Sequence, residues 1–171
     1  AALVKEMAQL KYSQEQTHKA VAELHVTPEM YGAIGDGVAD DTEAFEKAIA
    51  DGKTLSLDRN YKVSAITLPK RVVGHGKIEG EVTIAEEGSY IDGVTFKGKI
   101  NFNARNSRVV NCDFNECAFN LNKWANSFIS CYFNKSPIFF EIELSATNNF
   151  VNCYFSSANQ FLGTPSNLHI T

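Results

Sequence analysis

The chain has 171 residues, of which 44% are hydrophobic and 21% are charged, and its formal net charge is −4. This length is enough for one domain with a sizeable core, and the composition is typical of globular proteins. The negative charge argues against a nucleic-acid partner, and no apolar run approaches the roughly 20 residues that membrane insertion requires.

The first segment carries a heptad pattern of spacings 4 and 3. Its members are Leu3, Met7, Leu10, Gln14, Thr17, Val21 and Leu24. This pattern predicts a coiled-coil neck helix over residues 1–26, which Thr27-Pro28 ends. The alternative interpretation is a single amphipathic helix that lies on the domain. In the coiled-coil interpretation, the chain forms a homotrimer.

The next segment, residues 27–52, contains YGAIGDGVADDTEAF at positions 31–45. The glycines at 32, 35 and 37 predict a tight loop through which neither helix nor strand runs. Asp40, Asp41 and Thr42 are candidate helix caps, and Asp40 with Glu43 resembles an acidic capping box. An apolar stripe then predicts a short amphipathic helix that covers an apolar surface.

This segment resembles the N-terminal signature of the pectate-lyase-like superfamily, which is common in bacteriophage tailspikes and tail fibres and in secreted polysaccharide-degrading enzymes. Ser56-Leu57-Asp58, Tyr61-Lys62-Val63 and the residues 72–76 resemble the strands that follow in that family. The resemblance implies a right-handed parallel β-helix whose N-terminal end is plugged by the short helix. It marks a fold and carries no catalytic motif, and it assigns Asp36, Asp40 and Asp41 to turns and caps.

Residues 53–171 are predicted to form the turns of this all-β solenoid. From Tyr90 onward a pattern recurs whose copies end at Phe96, Phe114, Phe133 and Phe155, with spacings of 18, 19 and 22 residues. Such a period indicates stacked repeats that bury a common core. We interpret each copy as one strand, with Val94, Cys112, Cys131 and Cys153 in one internal column and the four phenylalanines in the next. A second strand follows in each turn, and the frequent asparagines predict turns and hydrogen-bonded ladders.

The repeat context predicts that Cys112, Cys131 and Cys153 are buried, reduced thiols. Cys117 lies outside the pattern. No cysteine or histidine group has the spacing of a metal site, and we expect neither a metal nor a cofactor.

The candidate site is the strand Ile138–Leu144. Its alternation directs Phe139, Glu141 and Glu143 outward and buries the positions between them, which are Ile138, Phe140, Ile142 and Leu144. The preceding turn would place Asn120 and Asn122 beside these residues, with Trp124 near. An aromatic ring with carboxylates suits a sugar, because the ring stacks on its apolar face and the carboxylates accept from its hydroxyls. Glu141 and Glu143 are also the candidate catalytic residues, since glycoside hydrolysis uses paired carboxylates. The alternative is a solvated strand face without function.

These observations favour a piece of a virion tailspike or tail-fibre protein, located in the virion tail and attaching to bacterial surface polysaccharide, with other tail proteins as further partners. One alternative is a polysaccharide depolymerase, a hydrolase or lyase, in a tail or secreted. Another is a purely structural virion adaptor. We expect this chain alone to bind glycan weakly or not at all and not to cleave it.

Overall fold

The computed structural model describes residues 1–140, 147–163 and 168–171. Within them, two α-helices, α1 (Ala2–Leu24) and α2 (Thr42–Ala50), and a short 3₁₀ helix (Pro28–Tyr31) precede most of the strands. The strands are β1 (His25–Val26), β2 (Asp36–Asp40), β3 (Thr54–Leu57), β4 (Asn60–Leu68), β5 (Arg71–Gly74), β6 (Lys77–Ile84), β7 (Tyr90–Asp92), β8 (Thr95–Phe102), β9 (Arg108–Val110), β10 (Asp113–Leu121), β11 (Ser127–Ile129), β12 (Tyr132–Asn134), β13 (Ile138–Phe140), β14 (Asn148–Val151), β15 (Tyr154–Phe155), β16 (Phe161–Leu162) and β17 (Leu168–Ile170).

The described strands form a parallel β-solenoid of about six turns, which confirms the predicted all-β parallel architecture. One sheet has eight strands in the order β1-β3-β5-β7-β9-β11-β14-β17. The other has nine strands, of which seven follow the order β15-β12-β10-β8-β6-β4-β2, while β13 pairs with β10 and β16. Because each strand pairs with its equivalent one turn away, side chains at the same position stack in columns along the solenoid.

The N-terminal helix α1 does not lie on the solenoid. Leu3, Met7 and Leu10, three members of the apolar seam, are 63% to 68% exposed. The interpretation of α1 as a helix packed on the domain is therefore wrong, and the seam is available to another chain.

The Gly-Asp-Gly segment contains a strand, which the sequence had excluded. β2 runs through Gly37 and pairs in parallel with β4, although its register shifts between Asp36 and Asp40. Since Gly37 has a φ of +76°, the strand is irregular and pairs only at its ends. With β1 on β3, these pairings begin the solenoid before residue 53.

The acidic residues of this segment act as turn and cap residues, but not as a capping box. Asp41 precedes α2 without capping it, and its carboxylate instead accepts from the backbone N–H groups of Ile34 (2.8 Å) and Gly35 (3.1 Å). Asp40 accepts from the N–H of Thr42 (3.0 Å) at the helix start. Glu43 pairs with Lys47 (2.6 Å) because that partner lies one helical turn along the same face.

The recurring pattern is not one strand, as predicted, but two strands joined by a corner. Asn111, Ser130 and Asn152, the residues before the three cysteines, have φ of 52°, 53° and 51°. This left-handed conformation carries the backbone from one sheet to the other, and asparagine tolerates it well. The cysteine that follows still points inward, so the predicted columns remain in place although the chain turns a corner between them.

The predicted phenylalanine column is confirmed. Phe96, Phe114, Phe133 and Phe155 are in register, and successive ring centroids lie 5.3, 4.8 and 5.1 Å apart with nearly parallel planes. Offset stacks of this kind add to the stabilisation from burial alone.

The four cysteines are free thiols, and three of them, Cys112, Cys117 and Cys131, are buried as small core residues. Cys153 is only partly buried, which corrects the prediction for that residue. It occupies the last described position of its column, so no further described side chain of the column covers it. Burial raises the pKa of Cys112 to about 12, whereas the interaction with the neighbouring Cys131 thiol lowers the pKa of Cys153 to about 7.

Candidate functional site

The predicted site residues Phe139 and Asn120 are neighbours on the outer face of the nine-stranded sheet. Asn120 on β10 is directly opposite Phe139 on β13. Ile138 and Phe140 are buried while Phe139 is half-buried, as the alternation predicts. Glu141 and Glu143 lie outside the described residues, so their placement stays a prediction.

An amide ladder extends from Asn120 toward the N-terminal turns. Asn120 Nδ2 donates to Asn101 Oδ1 (2.9 Å), and Asn101 Nδ2 donates to Glu81 Oε1 (2.9 Å). Lys99 Nζ donates to the same Glu81 oxygen (2.9 Å). The hydrogen bonds from Lys99 and then Asn101 lower the pKa of Glu81, so this carboxylate stays ionised. The ladder therefore presents fixed polar groups along the solenoid axis.

Asn122 and Trp124 lie where the chain leaves the nine-stranded sheet. Asn122 Nδ2 donates to Asn103 Oδ1 (2.7 Å) of the preceding turn. Its Oδ1 is buried and has no partner among the described residues. Trp124 is 38% exposed and lies two residues further on.

Trp124 forms one wall of a cavity of about 360 Å³ that spans three solenoid turns. The cavity is lined by Ala85, Glu87, Asn103, Arg105, Lys123 and Trp124. The Arg105 guanidinium carbon and Lys123 Nζ lie 5.5 and 5.8 Å from the Trp124 ring centroid, within the range of cation–π attraction. Glu87 accepts from Arg105 (3.3 Å), which offsets one of the two positive charges.

The corner loops that carry this cavity are held in register by buried polar residues. Ser107 Oγ accepts from the N–H of Ser89 (3.1 Å), and Asn126 Oδ1 accepts from the N–H of Ser107 (3.0 Å). Asn148 Oδ1 accepts from the N–H of Asn126 in the same way (3.1 Å). Each loop is thus fixed to the next, which places Glu87, Arg105 and Trp124 one above another.

Sequence reasoning did not identify Arg105, Lys123 and Glu87 as a group. The signal was present, because Glu87, Arg105 and Lys123 are separated by 18 residues each, one period of the repeat.

A second outward aromatic group lies on the other half of the nine-stranded sheet. Tyr132 and Tyr154 are in register and stack with their ring centroids 5.0 Å apart. Asp113 is opposite Tyr132 in the preceding turn, and partial burial raises its pKa. This group lies away from the predicted site residues.

No group of three or more histidine, cysteine or acidic side chains among the described residues could hold a metal ion. None of the helices in the part of the chain that the structure describes is long and apolar enough to cross a membrane.

No family model matches the chain. A stretch of 50 residues is 44% identical to a capsule K30/K69-specific depolymerase from Klebsiella phage K64-1, and the match covers 27% of this chain and 6% of that protein. The chain therefore spans only a small part of the curated relative that it matches. This finding establishes local homology to a phage depolymerase.

Two solved structures have a similar course of the chain. A proposed glycosyl hydrolase from Parabacteroides merdae ATCC 43184 gives a TM-score of 0.49 at 12% identity, over 85% of this chain and 93% of the other. ORF18 of Geobacillus virus E2 gives a TM-score of 0.38 at 14% identity, over 86% of this chain and 42% of the other. At these scores neither likeness carries an argument about function.

Proposed function

We propose that this chain is part of a phage tailspike or tail-fibre protein, located in the virion tail, that attaches to bacterial surface polysaccharide. The observation that carries the proposal is the 44% identity over 50 residues to a phage capsule depolymerase. The outer face supports it, because the ladder of Asn101 and Asn120 offers fixed hydrogen-bonding groups and Trp124 offers an exposed ring. Fixed amides and aromatic rings suit sugar hydroxyls and the apolar faces of sugar rings.

We further propose that α1 forms the neck of a homotrimer and that the solenoid is a right-handed member of the pectate-lyase-like superfamily. The exposed seam of Leu3, Met7 and Leu10 supports the neck, since a 4-3 apolar spacing packs against equivalent helices. The Gly-Asp-Gly segment and its position at the N-terminal end of the solenoid support the superfamily assignment.

The second candidate is a polysaccharide depolymerase, which the name of the Klebsiella phage relative favours. Glu81 and Glu87, the acids beside the amide ladder and Trp124, do not suit the role of general acid. Glu81 has a lowered pKa, whereas a general acid for glycoside hydrolysis needs a raised pKa. The Glu87 carboxylate is held in an ion pair with Arg105. Glu141 and Glu143 remain the candidate catalytic residues. Since the amide ladder and Trp124 lie within this chain, we expect it to bind glycan, where the sequence alone predicted weak or no binding, and not to cleave it.

The test is incubation with purified Klebsiella capsular polysaccharides, K30 and K69 among them, followed by biolayer interferometry, a reducing-end assay and absorbance at the unsaturated-uronate band. Binding that Trp124→Ala or Asn120→Ala weakens, with the exposed Tyr12→Ala of α1 as control, would support attachment. New reducing ends that Glu141→Gln or Glu143→Gln abolishes would establish the depolymerase instead. If the chain neither binds nor cleaves any of these polysaccharides, the proposal is refuted and the structural adaptor is the remaining alternative.

A further inference from the structure

The outer faces of the two sheets differ in composition. Lysines and glutamates on and beside the nine-stranded sheet form ion pairs with N–O distances of 2.9 to 4.0 Å. The eight described strands of the other sheet contain neither a lysine nor a glutamate. We call the outward positions of these strands, which are β1, β3, β5, β7, β9, β11, β14 and β17, the eight-strand face. Its lack of lysine and glutamate is typical of protein–protein interfaces, where both residues are depleted.

A stripe of β-branched side chains runs along the solenoid axis on the eight-strand face. Val110, Ile129 and Val151 are directly opposite one another on β9, β11 and β14, and each is half-buried next to a buried residue of its strand, so each points outward. Val73 on β5 continues the stripe beyond Asp92. Parallel strands are about 4.8 Å apart, so the column from Val73 to Val151 is about 19 Å long. A contiguous apolar stripe indicates a contact surface, whereas scattered apolar residues do not.

The same face carries two arginines that make no ion pair with a carboxylate among the described residues. Arg71 and Arg108 are opposite Tyr90, one in the preceding turn and one in the following turn. The Arg71 guanidinium carbon lies 5.3 Å from the Tyr90 ring centroid. Tyr90 Oη donates to Asp92 (3.0 Å), which is the one acid of the eight described strands. Arginine and tyrosine are enriched in interfaces, so this column favours a protein partner.

A second copy of this chain complements the eight-strand face in charge and in apolar surface. Asp92 accepts from Tyr90 and from Asn111 Nδ2 (3.3 Å), and a carboxylate with about four lone-pair sites can accept from further donors. The guanidinium groups of Arg71 and Arg108 match a carboxylate in shape, so an arginine of one copy can pair with Asp92 of another. Each copy also brings its own aliphatic stripe, and therefore supplies both halves of the contact.

The connection between α1 and the solenoid places the eight-strand face next to the proposed neck. α1 ends at Leu24, and β1, the first strand of the eight-stranded sheet, begins at His25 without an intervening loop. Packed helices are about 8–10 Å apart, so parallel copies of α1 hold this sheet of each copy beside their common axis. Copies related by rotation about that axis keep the same height along it, so equivalent levels of the stripe meet.

We propose that the eight-strand face is an interface between copies of this chain, in which the stripes from Val73 to Val151 pack together and Arg108 pairs with Asp92 of a neighbouring copy. This inference rests on the proposed homotrimer and extends it, because the solenoids then contact one another and the assembly does not depend on the neck alone. It also turns the opposite, nine-stranded sheet away from the axis, so the face with Asn120 and Phe139 stays open to polysaccharide.

The test is sedimentation equilibrium of the whole chain over a concentration series, which gives the concentration at which half of the assembly dissociates. Ile129→Lys places a cation in the stripe of every copy and should raise this concentration roughly 10- to 100-fold, because like charges then meet in the interface. Val110→Ser with Val151→Ser removes apolar contact without adding charge and should raise it roughly 3- to 30-fold. Far-ultraviolet circular dichroism verifies that each variant stays folded.

The matched control is Thr95→Lys, which adds the same charge at a half-buried outward position of the nine-stranded sheet and should leave the assembly unchanged. Equal effects of Thr95→Lys and Ile129→Lys would overturn the inference. It would also be overturned if neither Ile129→Lys nor the double serine variant changes the concentration at which the assembly dissociates.

The inference and the proposed neck fail in different ways, and Leu10→Lys in the seam of α1 separates them. Dissociation by Leu10→Lys but by neither change on the eight-strand face refutes the interface while the neck stands. Dissociation by the changes on the eight-strand face but not by Leu10→Lys refutes the neck and retains the interface. A chain that is monomeric without any change refutes both, and capsule binding tests polysaccharide attachment independently of either.

Discussion

Replacement of Phe133 by alanine tests the stacked core of the solenoid most directly. Phe133 is fully buried and stacks between Phe114 and Phe155, with centroids at 4.8 and 5.1 Å. Three further rings meet it edge-on at 5.8 to 6.1 Å, and they belong to Phe119, Phe128 and Phe150.

The expected loss in the free energy of unfolding is about 4–5 kcal/mol. A buried Phe→Ala change costs about 3–5 kcal/mol, and the two lost stacks place Phe133 at the upper end of this range. The column has little freedom to close the void, because the hydrogen bonds of the parallel strands fix the spacing of the solenoid turns.

The assay is urea unfolding followed by circular dichroism. The dependence of the unfolding free energy on urea concentration should be the same for the variant and the unchanged chain. The matched control is Phe139→Ala, a half-buried ring on the outer face, which should cost at most about 1.5 kcal/mol. A loss for Phe133→Ala below about 2 kcal/mol, or no larger than that of Phe139→Ala, would refute the reasoning that stacked columns stabilise this fold.

Three more predictions concern the neck, the thiols and a glycine. Light scattering at micromolar concentration should give a trimer, and a monomer would contradict the neck; Gln14→Ile should raise the melting temperature because it places an apolar residue in the seam. A thiol reagent should label Cys153 alone in native buffer. The labelling rate should rise as the pH passes about 7, since the pKa of Cys153 is lowered to about 7 and its thiolate forms above that pH. Cys153→Ser is the control, and rapid labelling of Cys112 would show that the core is open. Gly98→Ala should destabilise the chain by about 1–3 kcal/mol more than Gly52→Ala. Both glycines have positive φ, but of the two only Gly98 would bring its added Cβ against a backbone oxygen, that of Gly80 at 2.4 Å. Equal losses of unfolding free energy in urea would argue against the close approach of these strands.

The candidate site was only partly predictable from the sequence. Asn120 and Phe139 could be placed on one outer face because alternation along a strand is a local property. The grouping of Arg105 and Lys123 around Trp124 depends on the length of each solenoid turn and on the loops that join the sheets. A sequence pattern does not state which of two neighbouring loop residues faces a cavity.

The sequence by itself determined the features that arise from short-range periodicity. The helical spacing placed α1 with an apolar seam, and the recurrence of phenylalanine from Phe96 to Phe155 specified stacked turns with a common core. Both follow from the fixed repeat of a helix or a strand, which a few neighbouring residues are enough to express.

The tertiary structure decided where the chain turns and what its polar groups contact. The corner residues Asn111 and Ser130 differ in type yet share one left-handed conformation, because the stacking of the turns imposes it on both. The Asp41 side chain accepts from the backbone N–H groups of Ile34 and Gly35 and not from those of α2, since the folded loop brings the former to it. Contacts of this kind join residues through space, and their energies depend on geometry that the order of residues does not contain.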